Sequence, residues 1–121
     1  MGEFLFKGIV IKDELVEQGR TFFATFLETE NAGIIMMSES TDRLGTLAVA
    51  MPQQHKLVGP VISSILLGDR NTMISRILAE IFAKQTQKIG LVSVFLRTIN
   101  EQEAAPILKT LLEKILKKNQ S

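Results

Sequence analysis

His55 is the only histidine in the chain, so any metal centre or serine–histidine relay built here must use it. It stands in the polar run from Pro52 to Gly59, beside Lys56. Carboxylates would have to reach it from elsewhere, and no closely spaced set does so. No G-x-S-x-G elbow presents a serine nucleophile. Gly68-Asp69-Arg70-Asn71-Thr72 falls where a strand gives way to a helix, a place that often holds phosphate. It lacks the G-x-x-x-x-G-K-S/T pattern, and Asp69 would repel an anion, so helix capping is the better reading. Carboxylates pair up at Asp13/Glu14, Glu28/Glu30 and Glu101/Glu103. All lie near element ends, where solvation is expected rather than the pocket that general acid–base work needs. The chain has no Cys, Trp or Tyr. Disulfides, thiolate chemistry and cysteine zinc sites are therefore excluded. The seven Phe read as core or interface, not as stacking platforms for single-stranded nucleic acid. No catalytic residue, metal site or cofactor site is expected.

The bulk properties agree. With 121 residues the chain is expected to form one domain over 1–121. The 14 Lys+Arg and 13 Asp+Glu nearly cancel, and the pI is about 8.0. A nucleic-acid binder relying on a strong basic face is excluded. The hydrophobic fraction is 45% and mean hydropathy is +0.20, the apolar side of ordinary for a globular domain. Glu3, Lys7 and Lys12 interrupt the first residues, so no secretory signal is expected. Phe6 stands where myristoylation needs Ser or Thr. No apolar run approaches the ~20 residues that span a bilayer. A cytoplasmic home is expected, with no membrane and no nucleic acid as partner.

The elements that must position any site follow from hydrophobic period. Phe4 to Ile11 is apolar and β-branched, and can continue through Val16. Gly19 marks a hairpin tip, and Thr21 to Thr29 is the second strand. Ile34 to Met37, Thr46 to Met51 and Val61 to Leu67 follow as short strands. Such close spacing suggests an antiparallel meander. The period then changes. Ile74, Ile77, Leu78, Ile81 and Phe82 form one helical stripe. Leu91 to Leu96 is a sixth strand, apolar on both faces. A second stripe runs from Ala104 through Leu108, Leu111 and Ile115 to Leu116. Pro106 is tolerated in a first turn and costs about 3 kcal/mol further in. The regular helix is therefore expected from near Glu103, not from Asn100. The fold class is α+β: a six-stranded antiparallel sheet in the order β-β-β-β-β-α-β-α, with two helices on one face.

The strands are two-faced. In Arg20 to Glu30, Phe22, Ala24 and Phe26 lie on one side and Phe23 and Leu27 on the other. A half-solvated strand would alternate apolar with polar. Two amphipathic helices can cover one face of six strands, which leaves the second face needing a partner. Stacking of two sheets, from two copies or from a sister chain, is the economical solution. A dimer is expected, with Phe22, Phe26, Met36 and Val49 as candidates for the stacked face.

Short apolar motifs give the chain a family likeness. Gly45-Thr46-Leu47 opens the fourth strand, Pro60-Val61 opens the fifth and Leu66-Leu67-Gly68 closes it. Met73-Ile74 and the helix through Phe82-Ala83 follow. In these residues, in size and in element order the chain resembles the proteasome assembly chaperone 3-like family. The absence of cysteine and the Ile- and Lys-rich composition would suit an archaeal relative. The resemblance implies a non-enzymatic α/β protein that dimerises with itself or a sister chaperone. It implies binding to proteasome α subunits and promotion of α-ring formation. Related chaperones dock through a C-terminal hydrophobic–Tyr–X tail. This sequence ends Lys118-Asn119-Gln120-Ser121, so docking through a folded surface is implied.

Exposed irregular segments are the candidates for meeting a client. These are the loop from Gln53 to Gly59, with Gln53, Gln54, His55 and Lys56 as candidates, and the loop from Glu39 to Arg43, with Asp42 and Arg43. The rival reading is a small dimeric scaffold of roadblock or longin type serving a GTPase or another complex. Roadblock domains place a helix before or between the early strands, whereas here five strands precede any helix.

Overall fold

The computed structural model describes residues 10–53 and 61–120. Its elements are β1 (Val10–Glu17), β2 (Arg20–Glu28), β3 (Ala32–Glu39), β4 (Thr46–Met51), β5 (Ile62–Leu67), α1 (Thr72–Thr86), β6 (Ile89–Phe95) and α2 (Glu101–Gln120). The element order matches the sequence expectation. Phe4 and Phe6 lie outside the described residues.

The sheet order is β1-β2-β3-β6-β4-β5. Five strands do not form a plain meander. β1, β2 and β3 do, but β6 then inserts between β3 and β4. β6 runs parallel to β3 and antiparallel to β4. The sheet is therefore mixed, which corrects the all-antiparallel expectation. The cause is the helix between β5 and β6. α1 carries the chain back along the sheet, so β6 must start level with the start of β5 and run the same way. Its sequence, IGLVSVF, suits a central slot because strands covered on both faces read as near-continuous apolar runs.

Both helices lie on one face. α1 packs on β4, β5 and β6, and α2 on β1 and β2. Under them Phe22, Phe26, Ile35, Met37, Val92 and Val94 are almost fully buried. The glycines of the central strands set the helix position. Gly33 and Gly90 are register partners on β3 and β6. A Cβ on Gly33 would stand 2.1 Å from Cζ of Phe82, and one on Gly90 would stand 2.8 Å from its Cδ2. The Phe82 ring therefore lies in the notch the two glycines leave. It meets Phe26 edge-on, with centroids 5.8 Å apart and planes at 74°, a favoured aromatic geometry.

α2 starts two residues earlier than expected, at Glu101. Asn100 supplies the reason: its Oδ1 accepts the Glu103 N–H at 2.8 Å, a side-chain N-cap. Pro106 consequently lies inside the helix, beyond the first turn. α1 is capped by a different device from the one expected. Asn71 occupies the N-cap with φ 58° but makes no side-chain cap. Glu101 reaches across from α2 instead, and its Oε2 accepts the Ile74 N–H at 3.0 Å.

Candidate interaction surface

Register places each side chain on a face. Across the side away from the helices, one row reads Val10, Leu27, Ile34, Leu91, Val49, Ser64, one residue from each strand. The next row reads Lys12, Thr25, Met36, Ser93, Leu47, Leu67. A third begins Glu14, Phe23, Ser38, Phe95. Among the described residues no helix covers these rows. Leu27, Ile34, Met36, Val49 and Leu91 are only partly buried. Val10, Met51 and Ile62 are exposed at 56%, 49% and 74%. A contiguous apolar sheet face of this kind is a candidate surface for association.

The sequence-level candidates divide between the two faces. Met36 and Val49 lie on the open face. Phe22 and Phe26 do not: they are at 0% and 1% exposure beneath the helices. That is a correction, and the reason is the glycine notch. Phe82 can seat only on the Gly33 side of β3, and Phe26 packs against it. The even-numbered aromatics of β2 therefore face the helices, and Phe23 and Leu27 take the open face. Leu27, Ile34, Leu91, Phe23 and Phe95 are among the open-face residues that sequence reading did not name as candidates. The two-faced alternation was the available signal, but it cannot say which face is which.

The loop from Ser40 to Gly45 folds down onto the open face. Gly45 donates its N–H to Ser93 Oγ at 2.8 Å. A Cβ at Gly45 would stand 2.1 Å from the Val94 carbonyl oxygen, so only glycine permits this approach. The Arg43 guanidinium lies 5.0 Å from the centroid of Phe95, within cation–π range. Asp42 helps to enclose a cavity of about 370 Å³ with Lys12, Phe23 and Thr25. Ser38 and Ser93 are consequently buried although they belong to the open face. Asp42 and Arg43 themselves remain exposed. Of the other loop candidates, Gln53 is half-buried at the end of β4. Gln54, His55 and Lys56 lie outside the described residues.

Glu39 corrects the expectation of an exposed loop from Glu39 to Arg43: it ends β3 and is a buried carboxylate at the loop's base. Glu39 is 1% exposed. Its Oε1 accepts the backbone N–H groups of Arg97, Thr98 and Ile99 at 2.6, 2.9 and 3.3 Å. Its Oε2 accepts the Thr98 hydroxyl and lies 3.5 Å from Arg20 Nε. Burial alone would raise the pKa of this carboxyl, but the hydrogen bonds outweigh it and hold the pKa below the ordinary value. Both carboxylate oxygens already accept hydrogen bonds within the fold, so the group is an anchor joining β3 to the β6–α2 turn.

The remaining carboxylate pairs are also structural. Glu28 accepts from Lys88 Nζ at 2.6 Å and from Asn119 Nδ2 at 2.9 Å. The Lys88 hydrogen bond is the main cause of its lowered pKa. Asp13 lies 3.3 Å from Lys114 Nζ. Lys114 and Lys118 also donate to the carbonyls of Glu14 and Lys12, at 2.9 and 3.1 Å. These contacts tie α2 to the edge strand β1 and occupy carbonyls there, which blunts an edge against stray pairing. A cavity of about 600 Å³ opens between the β5–α1 and β6–α2 turns. Its one carboxylate, Glu101, is committed to capping α1. Among the described residues no group of three or more His, Cys, Asp or Glu could hold a metal. None of their helices is long and apolar enough to cross a membrane.

Comparison with known proteins adds a fold-level match. No protein-family model matches the chain, and no curated protein does. Among solved structures, one chain from the crystal structure of a novel chaperone complex for yeast 20S proteasome assembly superposes with a TM-score of 0.70. The identity is 15%, over 95% of this chain and 97% of that one. The chain has the fold of that assembly chaperone. The likeness spans nearly the whole of both chains, so it is a match of whole architectures and not of a shared fragment. The residues that carried the sequence resemblance also gain a physical account here. Gly68 has φ +95°, and a Cβ on it would stand 2.5 Å from Thr46 Oγ1. Thr46 donates its hydroxyl to the Arg70 carbonyl, and Ser75 Oγ donates to the Thr46 carbonyl at 3.3 Å. Gly45, Thr46 and Gly68 thus form one joint, where β4, β5, β6 and the start of α1 meet.

Proposed function

We propose that this chain is a non-enzymatic assembly chaperone of the proteasome assembly chaperone 3-like family. It dimerises through its open sheet face, with a second copy or a sister chaperone, and binds proteasome α subunits to promote formation of the α ring. The observation that carries the reading is the match over 95% of the chain to a subunit of a yeast proteasome-assembly chaperone complex. The apolar row from Val10 to Val49 supports the dimer, because a sheet of this width with one face uncovered among the described residues calls for a second layer. The commitment of the described buried carboxylate to backbone N–H groups supports a role in association over one in catalysis. The roadblock or longin alternative is not favoured, since five strands precede the first helix.

The test is co-migration. Tagged chain is mixed with separately purified proteasome α subunits from the same source and run on a sizing column. The reading expects a complex with at least one α subunit. Failure to co-migrate with any of them, while they remain folded, would refute it. Light scattering of the chain alone at micromolar concentration reads the dimer separately.

A further inference from the structure

Asp42 and Arg43 are neighbours of opposite charge, both exposed, carried on the loop that folds over the open face. The loop lies on the centre line of the sheet. It leaves β3 and enters β4, the third and fifth strands in the order, and must cross the end of β6 between them. The Arg43 guanidinium on Phe95 shows that the crossing is made on the open side. A loop on the centre line is the part of a stacked sheet that can meet its own equivalent. The charges around the face fit the same arrangement. Lys12 and Glu14 border it on β1, and Asp42 and Arg43 on the loop, two of each sign. Among the described residues such a face carries no net charge to repel a copy of itself.

We propose that Asp42 and Arg43 form a reciprocal ion pair across a two-fold axis, so that the open face selects a second copy of this chain. In an isologous interface residue i meets j and j meets i, so an adjacent Asp–Arg pair complements itself. The inference rests on the sheet-face dimer proposed above and names the partner and the residues that choose it. Arg43 is the stronger of the two contacts, because its stack on Phe95 orients the guanidinium before binding.

The experiment uses four full-length chains at low salt in sedimentation velocity: wild type, Asp42→Arg, Arg43→Asp and the double swap. Each single variant brings like charges together and is expected to weaken self-association about tenfold or more. An equimolar mixture of the two single variants restores opposite charges and is expected to recover the dimer, as is the double swap. Unchanged thermal midpoints establish that the variants are folded. Single variants that dimerise like wild type would overturn the inference, as would a loss that neither the mixture nor the double swap repairs. A wild-type chain that stays monomeric overturns the dimer reading itself, which separates the two failures.

Discussion

Glu39 shows how a single side chain can be decisive and still escape notice in the sequence. Its partners are the N–H groups of residues 97–99, some sixty positions away, and backbone donors leave no mark on residue types. Only the turn after β6, brought beside the end of β3 by the parallel pairing, creates the cradle. Replacing Glu39 with Ala orphans those donors and leaves Arg20 without its carboxylate. The expected loss is about 3 kcal/mol in urea unfolding. The pH dependence has a definite sign. The folded-state pKa is lowered, so the contribution is fully present above the unfolded value of about 4.3 and disappears as pH falls through the lower folded value. Glu28 and Asp13 act in the same direction. Wild type should therefore lose stability on acidification below about pH 4.5, and Glu39→Gln should lose less of it. Parallel pH profiles for the two proteins would contradict the assignment.

At the scale of elements, periodicity carried the local structure and failed at the pairing. The first strand, expected from Phe4 to Ile11, lies mostly outside the described residues. Both helical stripes, the second to sixth strands and the element order were legible, because 3.6- and 2-residue periods are local properties. That β6 pairs with β3 and β4 was not, since nothing local tells a strand its neighbours. The start of α2 was misplaced because Pro106 was weighed without the Asn100 cap. Gly33 and Gly90 decide how α1 seats, and no local period marks that role. This predicts that Gly33→Ala pushes Phe82 out of its notch at a cost of about 1–3 kcal/mol. The same substitution in a Phe82→Leu background should cost measurably less, because the colliding ring atoms are gone. A double-mutant cycle from urea unfolding reads the coupling, and a coupling of zero would show that the ring does not need the notch.

For the whole molecule the question is what two apolar faces are for, and adjacent phenylalanines on β2 divide the answer. Phe22 lies in the core at 0% exposure, and Phe23 lies on the open face beside Ser38, Glu14 and the Asp42 loop. Truncating Phe22 to Ala removes a ring from close packing and should cost about 3–5 kcal/mol of folding stability. Truncating Phe23 leaves the helix-covered core intact and should cost about 1 kcal/mol or less when unfolding is followed at concentrations too low for association. Its effect should appear instead in self-association, which weakens because an aromatic anchor on the open face is lost. Ile34→Lys, in the apolar row at the centre of the sheet, should go further and leave a folded monomer. Paired urea unfolding and light scattering on the three variants separate the effects. If Phe22→Ala and Phe23→Ala destabilise the fold alike and Ile34→Lys still dimerises, the open face belongs to this chain's own core and not to a partner.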